Sequence, residues 1–259
     1  MTKLEQLIKL NQWLLDDMPR YQAQAKEFPP TMETLWRLFR SLVNVREPRP
    51  ASDDFLKLQN AFLKKEIADK GITDISNLTP VRDEMYLWQG DITTLRIDAI
   101  VNAANSGLTG CYRPLHGCID NAIHTFAGIQ LRLECAEIMS RQGFAEPAGK
   151  AKISKAYNLP CHHVIHTVGP IISGRLTQKD CELLADCYRS CLELADQERL
   201  NAIAFCCIST GEFHFPNKRA AEIAIETVQA YKKETGSPIK VIFNVFREED
   251  YFIYQKLLN

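Results

Sequence analysis

The chain has 259 residues, of which 46% are hydrophobic and 24% charged, and its net charge is −1. This composition is that of a globular protein and excludes a disordered or fibrous chain. The balanced charge provides no basic surface for nucleic acid, and no apolar run approaches the roughly 20 residues of a membrane helix. Because the N-terminus also lacks the apolar core of a signal peptide, we expect a cytoplasmic protein without nucleic-acid or membrane partners.

Residues 1–80 show the apolar spacing of amphipathic helices. Ser52 is a candidate N-cap for the last of these helices, and Gly71 suits its end. Three apolar stripes are present: Leu4, Leu7, Ile8, Leu15 and Met18; Met32, Leu35, Trp36, Phe39 and Leu42; and Phe55, Leu58, Phe62 and Ile67. Such stripes must be covered, so we expect residues 1–80 to form an N-terminal helical extension packed on a domain at 81–259.

From residue 81 onwards, short runs rich in β-forming residues alternate with helical stretches. The runs predict strands at 85–88, 97–103, 162–168, 202–208 and 239–246, and the stretches predict helices at 119–139, 180–198, 217–233 and 248–258. The predicted strands are apolar on both faces. This pattern indicates an α/β fold whose mostly parallel sheet is covered by helices on both sides.

The chain contains nine cysteines, an odd number, and a disulfide framework is therefore not expected. The helical spacing of Cys181, Cys187 and Cys191 is typical of small core residues. Cys206 and Cys207 lie in the apolar run 202–208, which predicts buried strand positions.

The segment 101–124 follows a predicted strand and contains Cys111, His116 and Cys118 within eight residues. Two thiolates and an imidazole are a common zinc-binding set, and three protein ligands leave one coordination position open, as in catalytic zinc sites. The alternative is a pair of free cysteines beside a loop histidine. The residues by themselves leave both interpretations open.

A second strand-to-helix connection carries Ser209, Thr210 and Gly211 and leads into Pro216. Loop amides and hydroxyls before a helix are suited to phosphate binding, although a capped turn has the same composition. The chain has neither a GxGxxG nor a GxxxxGK[ST] motif, so a Rossmann dinucleotide site and a P-loop are not supported.

Five segments in order, QGDITTLRIDAIVNAANSGL, CIDNAIHTFAG, AKISKAYNLPCHHVIHTVGP, IAFCCISTGEFHFPNKRAAEIAIETV and VIFNVFREEDYFIYQKLL, resemble the macrodomain family of ADP-ribose-binding proteins. The resemblance covers 82–259. It is strongest to the zinc-dependent protein-ADP-ribose hydrolases of bacterial pathogens, because TGCYRPLHGC replaces a glycine-rich run and because a helical extension precedes the domain. It implies a three-layer α/β/α macrodomain with a mixed, mostly parallel sheet.

The resemblance also implies the ligand contacts. Asp91 and Ile92 match the adenine contacts, Asn105 matches a distal-ribose contact, and Phe246 matches the aromatic residue that stacks on adenine. A capping role for Asp91 and core packing of Phe246 are the structural alternatives. The remaining matches lie in two loops: the amides of Cys118, Ile119 and Asp120 would face the pyrophosphate or the distal ribose; Ser209, Thr210, Gly211 and Glu212 would hold the phosphates; and Phe213 would wall the distal ribose.

The implied activity is a hydrolase that removes mono-ADP-ribose from protein side chains with one Zn²⁺ per chain. Asn105 and Asp120 are the candidate catalytic residues, with Asn105 fixing the ribose. Asp120 would orient water or cap the following helix. The zinc would bind a ribose hydroxyl or lower the pKa of a bound water.

Relatives of this kind act opposite a sirtuin-type transferase on a lipoylated carrier of the glycine-cleavage type, which the resemblance implies as partner. Two other functions stay open: a non-catalytic ADP-ribose reader with structural zinc, and a zinc-stabilised interaction protein. Among the remaining histidines, we expect His124 and the strand residues His162, His163 and His166 to be structural. His214 follows the Ser-Thr-Gly loop and is a candidate ligand contact.

Overall fold

The computed structural model describes all residues from Met1 to Asn259. The strands are β1 Thr73–Asp74, β2 Met85–Gln89, β3 Leu95–Arg96, β4 Ala99–Ala103, β5 Ala151–Lys155, β6 His163–Thr167, β7 Ala202–Phe205 and β8 Lys240–Val245. The α-helices are α1 Lys3–Asp17, α2 Gln22–Ala25, α3 Met32–Val45, α4 Asp53–Lys70, α5 Ile119–Ala127, α6 Ile129–Gln142, α7 Gln178–Gln197, α8 Asn217–Thr235 and α9 Glu248–Leu258. None of these helices combines the length and apolarity needed to cross a membrane.

The main sheet has six strands in the order β2-β8-β7-β4-β6-β5. All neighbours are parallel except β5, which runs antiparallel to β6 at one edge. Helices α7, α8 and α9 pack together on one face, and α5 and α6 lie on the other. The prediction of a three-layer α/β/α fold with a mixed, mostly parallel sheet is confirmed.

Two strand predictions need correction. The strand Ala151–Lys155 was not expected, because its lysines give it a polar sequence; charged side chains are typical of an exposed edge strand. The strand predicted at 202–208 ends at Phe205, where pairing with β8 stops. Cys206 is therefore buried beyond the strand end rather than within it, and Cys207 is only partly buried.

The helix predicted at 119–139 is broken into α5 and α6 at Gly128. This glycine has φ 97°, and a Cβ there would lie within 2.9 Å of the side-chain amides of Gln59, Gln130 and Asn158. Gln59 accepts a hydrogen bond from the backbone N–H of Ile129, and Asn158 donates to the carbonyl of Ala127. Side-chain amides thus replace the backbone hydrogen bonds that the break removes.

Helices α1 to α4, called the N-terminal helices from here on, form a bundle with its own apolar interior of 13 buried residues, one of which, Ile129, belongs to α6. Ser52 caps α4 by accepting from the N–H of Phe55, as the sequence predicts, and Gly71 ends that helix with φ 89°. Trp36 on α3 packs against both this interior and the core of the α/β domain. The bundle is thereby docked on α5 and α6.

Candidate active site

The site loops meet because β2, β8, β7 and β4 are adjacent and parallel, so their carboxyl ends lie along one edge of the sheet. From these ends run Gly90–Asp91, Phe246, a loop at 206–216 and a loop at 104–118. The last two follow neighbouring strands and contact each other. The topology therefore brings together every segment that the sequence singled out.

The 104–118 loop gathers Cys111, His116 and Cys118. Their candidate ligand atoms all lie within 4.8 Å of one another, and Sγ of Cys111 is 3.5 Å from Nδ1 of His116. All three side chains are partly buried. Two sulfurs and one imidazole nitrogen at this spacing fit a zinc ion with one open coordination position.

Side chains from outside the loop hold it in place. Nε of Arg132 donates to the carbonyl of Thr109 at 2.7 Å, and Oδ1 of Asn44 accepts from the N–H of Leu115 at 3.1 Å. Leu115 has φ 56°, a left-handed conformation that a leucine adopts only when its surroundings impose it. Gly110, at φ 84°, lies so close to the ring of His124 that a Cβ would meet it at 2.6 Å.

Cys118 is the N-cap of α5, and its sulfur accepts from the N–H of Asn121 at 3.4 Å. The alternative that Asp120 caps this helix is therefore wrong. Burial raises the pKa of the Cys118 thiol to about 12, and the nearby Cys111 and Asp120 contribute in the same direction. Because a metal binds the thiolate, metal binding at this cysteine would release a proton.

Asp120 lies buried at the base of the loop and is held by two asparagines. Its Oδ1 accepts from Nδ2 of Asn102 at 2.8 Å, and its Oδ2 accepts from Nδ2 of Asn105 at 3.3 Å. Burial raises the pKa of Asp120 to about 6, although both hydrogen bonds and the positive charge of Arg132 oppose the rise. The carboxyl group is thus fixed in orientation, and its pKa lies about two units above that of a free aspartate.

Two histidines lie beneath Asp120. His166 is completely buried, with Nδ1 3.2 Å from Nδ2 of Asn102 and Nε2 2.8 Å from Oγ of Ser154. The Nε2 of His124 is 3.6 Å from Oδ1 of Asp120. Both are buried, as the expected structural role requires. His162 is exposed and precedes the strand. His214 is also exposed, and its φ is 58°.

The 206–216 loop turns sharply at Ser209, which has φ 64° and whose carbonyl accepts from the N–H of Phe215. The hydroxyl of Ser209 is buried without a partner in the protein. Gly211 is exposed, and nothing lies within 4 Å of where its Cβ would be. Thr210 and Phe213 are partly buried, and Glu212 is exposed beside His116.

At the other end of the site, Asp91 does cap the turn 92–94, since Oδ1 accepts from the N–H of Thr93 at 3.0 Å. Its Oδ2 accepts from Nζ of Lys70 at 2.8 Å. Burial by itself would raise the pKa of Asp91, but the hydrogen bonds from Lys70 and Thr93 hold it below its usual value. The side chain of Ile92 is buried in the core, so an adenine contact at this residue would be made by its backbone. Phe246 is 75% exposed, so the alternative of core packing is wrong.

Three side chains of the N-terminal helices reach the site without having been expected there: Arg40, Asn44 and Lys70. Arg40 donates to Oδ1 of Asn121 on α5 at 2.9 Å, and its Nε is buried without a partner. Lys70 lies 3.4 Å from the centre of the Phe126 ring as well as on Asp91. No sequence signal identifies these contacts, because they depend on how the bundle docks.

Residues 101–224 match the Macro domain family. Two relatives named protein-ADP-ribose hydrolase are each 52% identical to this chain. The one from Treponema medium aligns over 263 residues and all of both chains, and the one from Staphylococcus aureus (strain MRSA252) over 96% of this chain and 94% of its own.

Solved macrodomain structures share the fold. A mutant of the Oceanobacillus iheyensis macrodomain with ADP-ribose has a TM-score of 0.63 at 37% identity, over 70% of this chain and 95% of its own. A Trypanosoma brucei macrodomain in complex with ADP-ribose has a TM-score of 0.66 at 30% identity, over 85% of this chain and 95% of its own.

Proposed function

Since the chain belongs to the macrodomain family, we propose that it is a hydrolase that removes mono-ADP-ribose from modified protein side chains and uses a zinc ion held by Cys111, His116 and Cys118. The observation that carries the proposal is the clustering of this donor set on the loop between Asn105 and Asp120, at the carboxyl edge of the sheet. The names of the relatives at 52% identity support the reaction class.

The site has three parts that suit the three parts of ADP-ribose. Asp91, fixed by Thr93 and Lys70, presents a carboxylate for the adenine amino group, and the exposed ring of Phe246 provides a stacking surface. The 206–216 loop, with the open space beside Gly211, would receive the phosphates. The amides of residues 118–120, at the start of α5, would face the same region, where a helix N-terminus favours negative charge.

At the distal ribose, Asn105 would contact the sugar, and its Nδ2 also donates to Gly110 and Asp120. Asp120 cannot rotate freely, because two asparagine side chains hold its two oxygens. With a pKa of about 6, it is ionised at neutral pH and can orient a water molecule or accept its proton. Bound zinc supplies a Lewis acid that holds a ribose hydroxyl or activates water.

The protein substrate would carry ADP-ribose on one of its side chains. The modified side chain would enter beside the 104–118 loop, where the metal and the distal ribose are proposed to lie. By resemblance, a lipoylated carrier modified by a sirtuin-type transferase is the partner we propose.

The test combines metal analysis with turnover of a mono-ADP-ribosylated protein, with and without chelator. We expect one zinc per chain, and we expect Cys118→Ala to lose zinc and turnover together. Cys181→Ala, a partly buried cysteine on α7, is the matched control and should keep both. Binding of ADP-ribose without turnover by the zinc-loaded parent would show a reader module instead. A metal-free Cys118→Ala protein that works at the parental rate would show that the metal is structural.

A further inference from the structure

The imidazole of His116 lies between two different loops. Its Nδ1 faces Sγ of Cys111 at 3.5 Å, within its own loop. Its Nε2 faces Oε1 of Glu212 at 3.4 Å, in the 206–216 loop. The His116 side chain is only 14% exposed, whereas that of Glu212 is 64% exposed. A surface carboxylate therefore extends over a partly buried candidate ligand.

A histidine that binds a metal through one ring nitrogen usually donates the N–H of the other to a carboxylate, a carbonyl or water. Such a partner fixes the tautomer and the ring orientation, and makes the ligand more basic. In His116, the nitrogen that faces the sulfur is Nδ1, and the nitrogen that faces the carboxylate is Nε2. Each ring nitrogen therefore faces the partner that this arrangement requires, Nδ1 towards the candidate metal site and Nε2 towards the carboxylate.

We infer that Glu212 is a positioning residue for His116: its carboxylate accepts a hydrogen bond from the Nε2–H, which keeps the proton on Nε2 and leaves Nδ1 free to bind the metal. The inference rests on the zinc site of the proposed function. It gives Glu212 a role other than holding phosphate, for which a carboxylate is poorly suited because like charges repel. It also joins the loop proposed to hold the phosphates to the loop proposed to hold the metal.

The experiment measures zinc affinity by competition with a chromogenic chelator, in the absence of any substrate. Glu212→Ala should weaken zinc binding by about 10- to 100-fold, the usual cost of losing such a partner. Glu212→Gln keeps an acceptor oxygen without the charge and should fall between the parent and Glu212→Ala. Glu226→Gln, an exposed residue of α8 whose side chain pairs with Arg219, is the control and should bind zinc as the parent does.

A second measurement separates positioning from substrate contact. ADP-ribose should bind metal-free Glu212→Ala at least as tightly as it binds the metal-free parent, because the residue acts through His116 and its carboxylate does not attract the phosphates. Zinc affinity of Glu212→Ala within about twofold of the parental value overturns the inference and leaves the proposed function standing. A parent protein that binds no zinc overturns both.

Discussion

The interior of the N-terminal bundle and its contact with the α/β domain bury different kinds of side chain. The interior is largely apolar, with leucines and aromatic rings such as Trp13 and Phe55 stacked 4.1 Å apart, and Asn11 and Arg46 are its few buried polar side chains. The contact with α5, α6 and the 104–118 loop is rich in buried polar groups, among them Arg132, Asn44 and Gln59. Apolar packing stabilises without regard to direction, whereas hydrogen bonds fix positions. The difference indicates that the bundle holds itself together by packing and holds the site by hydrogen bonds.

The sharpest test of this division is Arg132, which is only 4% exposed. Its Nη1 donates to the carbonyls of Val43, Asn44 and Arg46, and its Nε donates to that of Thr109. Arg132→Met keeps the apolar stem but leaves these carbonyls without their donor. We expect a loss of about 3–5 kcal/mol in the free energy of unfolding, measured with denaturant.

The control for Arg132 is Arg189→Met, which removes a partly exposed ion pair with Glu234. That variant should stay within about 1 kcal/mol of the parent. If Arg132→Met unfolds at the parental denaturant concentration, the polar contact does not hold the bundle, and docking depends on Trp36 and its apolar neighbours.

The second test uses acid, because the α/β domain buries histidines below the site, whereas the N-terminal helices contain no histidine. Burial lowers the pKa of His166 from 6.5 to about 4. Between about pH 6.5 and pH 4, His166 is therefore protonated in the unfolded chain but not in the folded chain. The stability that this histidine contributes is complete above pH 6.5 and is lost as the pH falls towards 4, by about 3 kcal/mol.

The comparison that isolates this contribution is His166→Gln, with chelator present throughout. Between pH 7 and pH 4.5, its free energy of unfolding should fall less than that of the parent. His162→Gln, an exposed neighbour on the same segment, should lose as much as the parent. Equal losses in the parent and in His166→Gln would mean that folding does not lower the pKa of His166.

A matched pair of asparagines compares the bundle interior with the contact directly. Asn11 donates to the carbonyl of Leu35 at 2.9 Å inside the bundle, whereas Asn44 binds Leu115 and Thr125 across the contact. Each change to alanine should cost about 1–2 kcal/mol of stability. Only Asn44→Ala should also weaken zinc binding, by about tenfold, because it frees the strained Leu115. Equal zinc affinities in the two variants would mean that Asn44 does not hold the 104–118 loop in its zinc-binding conformation.

The sequence predicted most of what depends on neighbouring residues. The caps, the parallel strands and the clustering of Cys111, His116 and Cys118 follow from local spacing or from strand order. The break at Gly128 was missed because the amides that replace its backbone bonds come from Gln59 and Asn158, distant in sequence. Ala151–Lys155 was missed because an edge strand with lysines lacks the apolar pattern of a buried one.

The parts of the site that were missed depend on docking. Arg40 and Asn44 lie on α3, and Lys70 ends α4, so no motif near the site loops identifies them as part of the site. The contact between His116 and Glu212 likewise joins two loops that only the sheet order makes neighbours. Such contacts are set by tertiary structure, and a spacing within one segment does not encode them.

The smallest effect is expected at Lys70, where the bundle reaches the proposed adenine site. Lys70 and Asp91 are each 35% exposed, so water and salt weaken their attraction, and pairs of this kind contribute about 0–1 kcal/mol. Lys70→Met keeps an apolar stem over Phe126 but releases Oδ2 of Asp91. We expect ADP-ribose to bind about two- to fivefold more weakly by calorimetry, with stability almost unchanged. Arg189→Met removes a comparable pair with Glu234, near the C-terminal end of α8, and should leave ADP-ribose affinity at the parental value. If ADP-ribose binds Lys70→Met more tightly than it binds the parent, the lysine competes with adenine for Asp91. The N-terminal helices would then weaken adenine binding at this end of the site instead of orienting Asp91 for it.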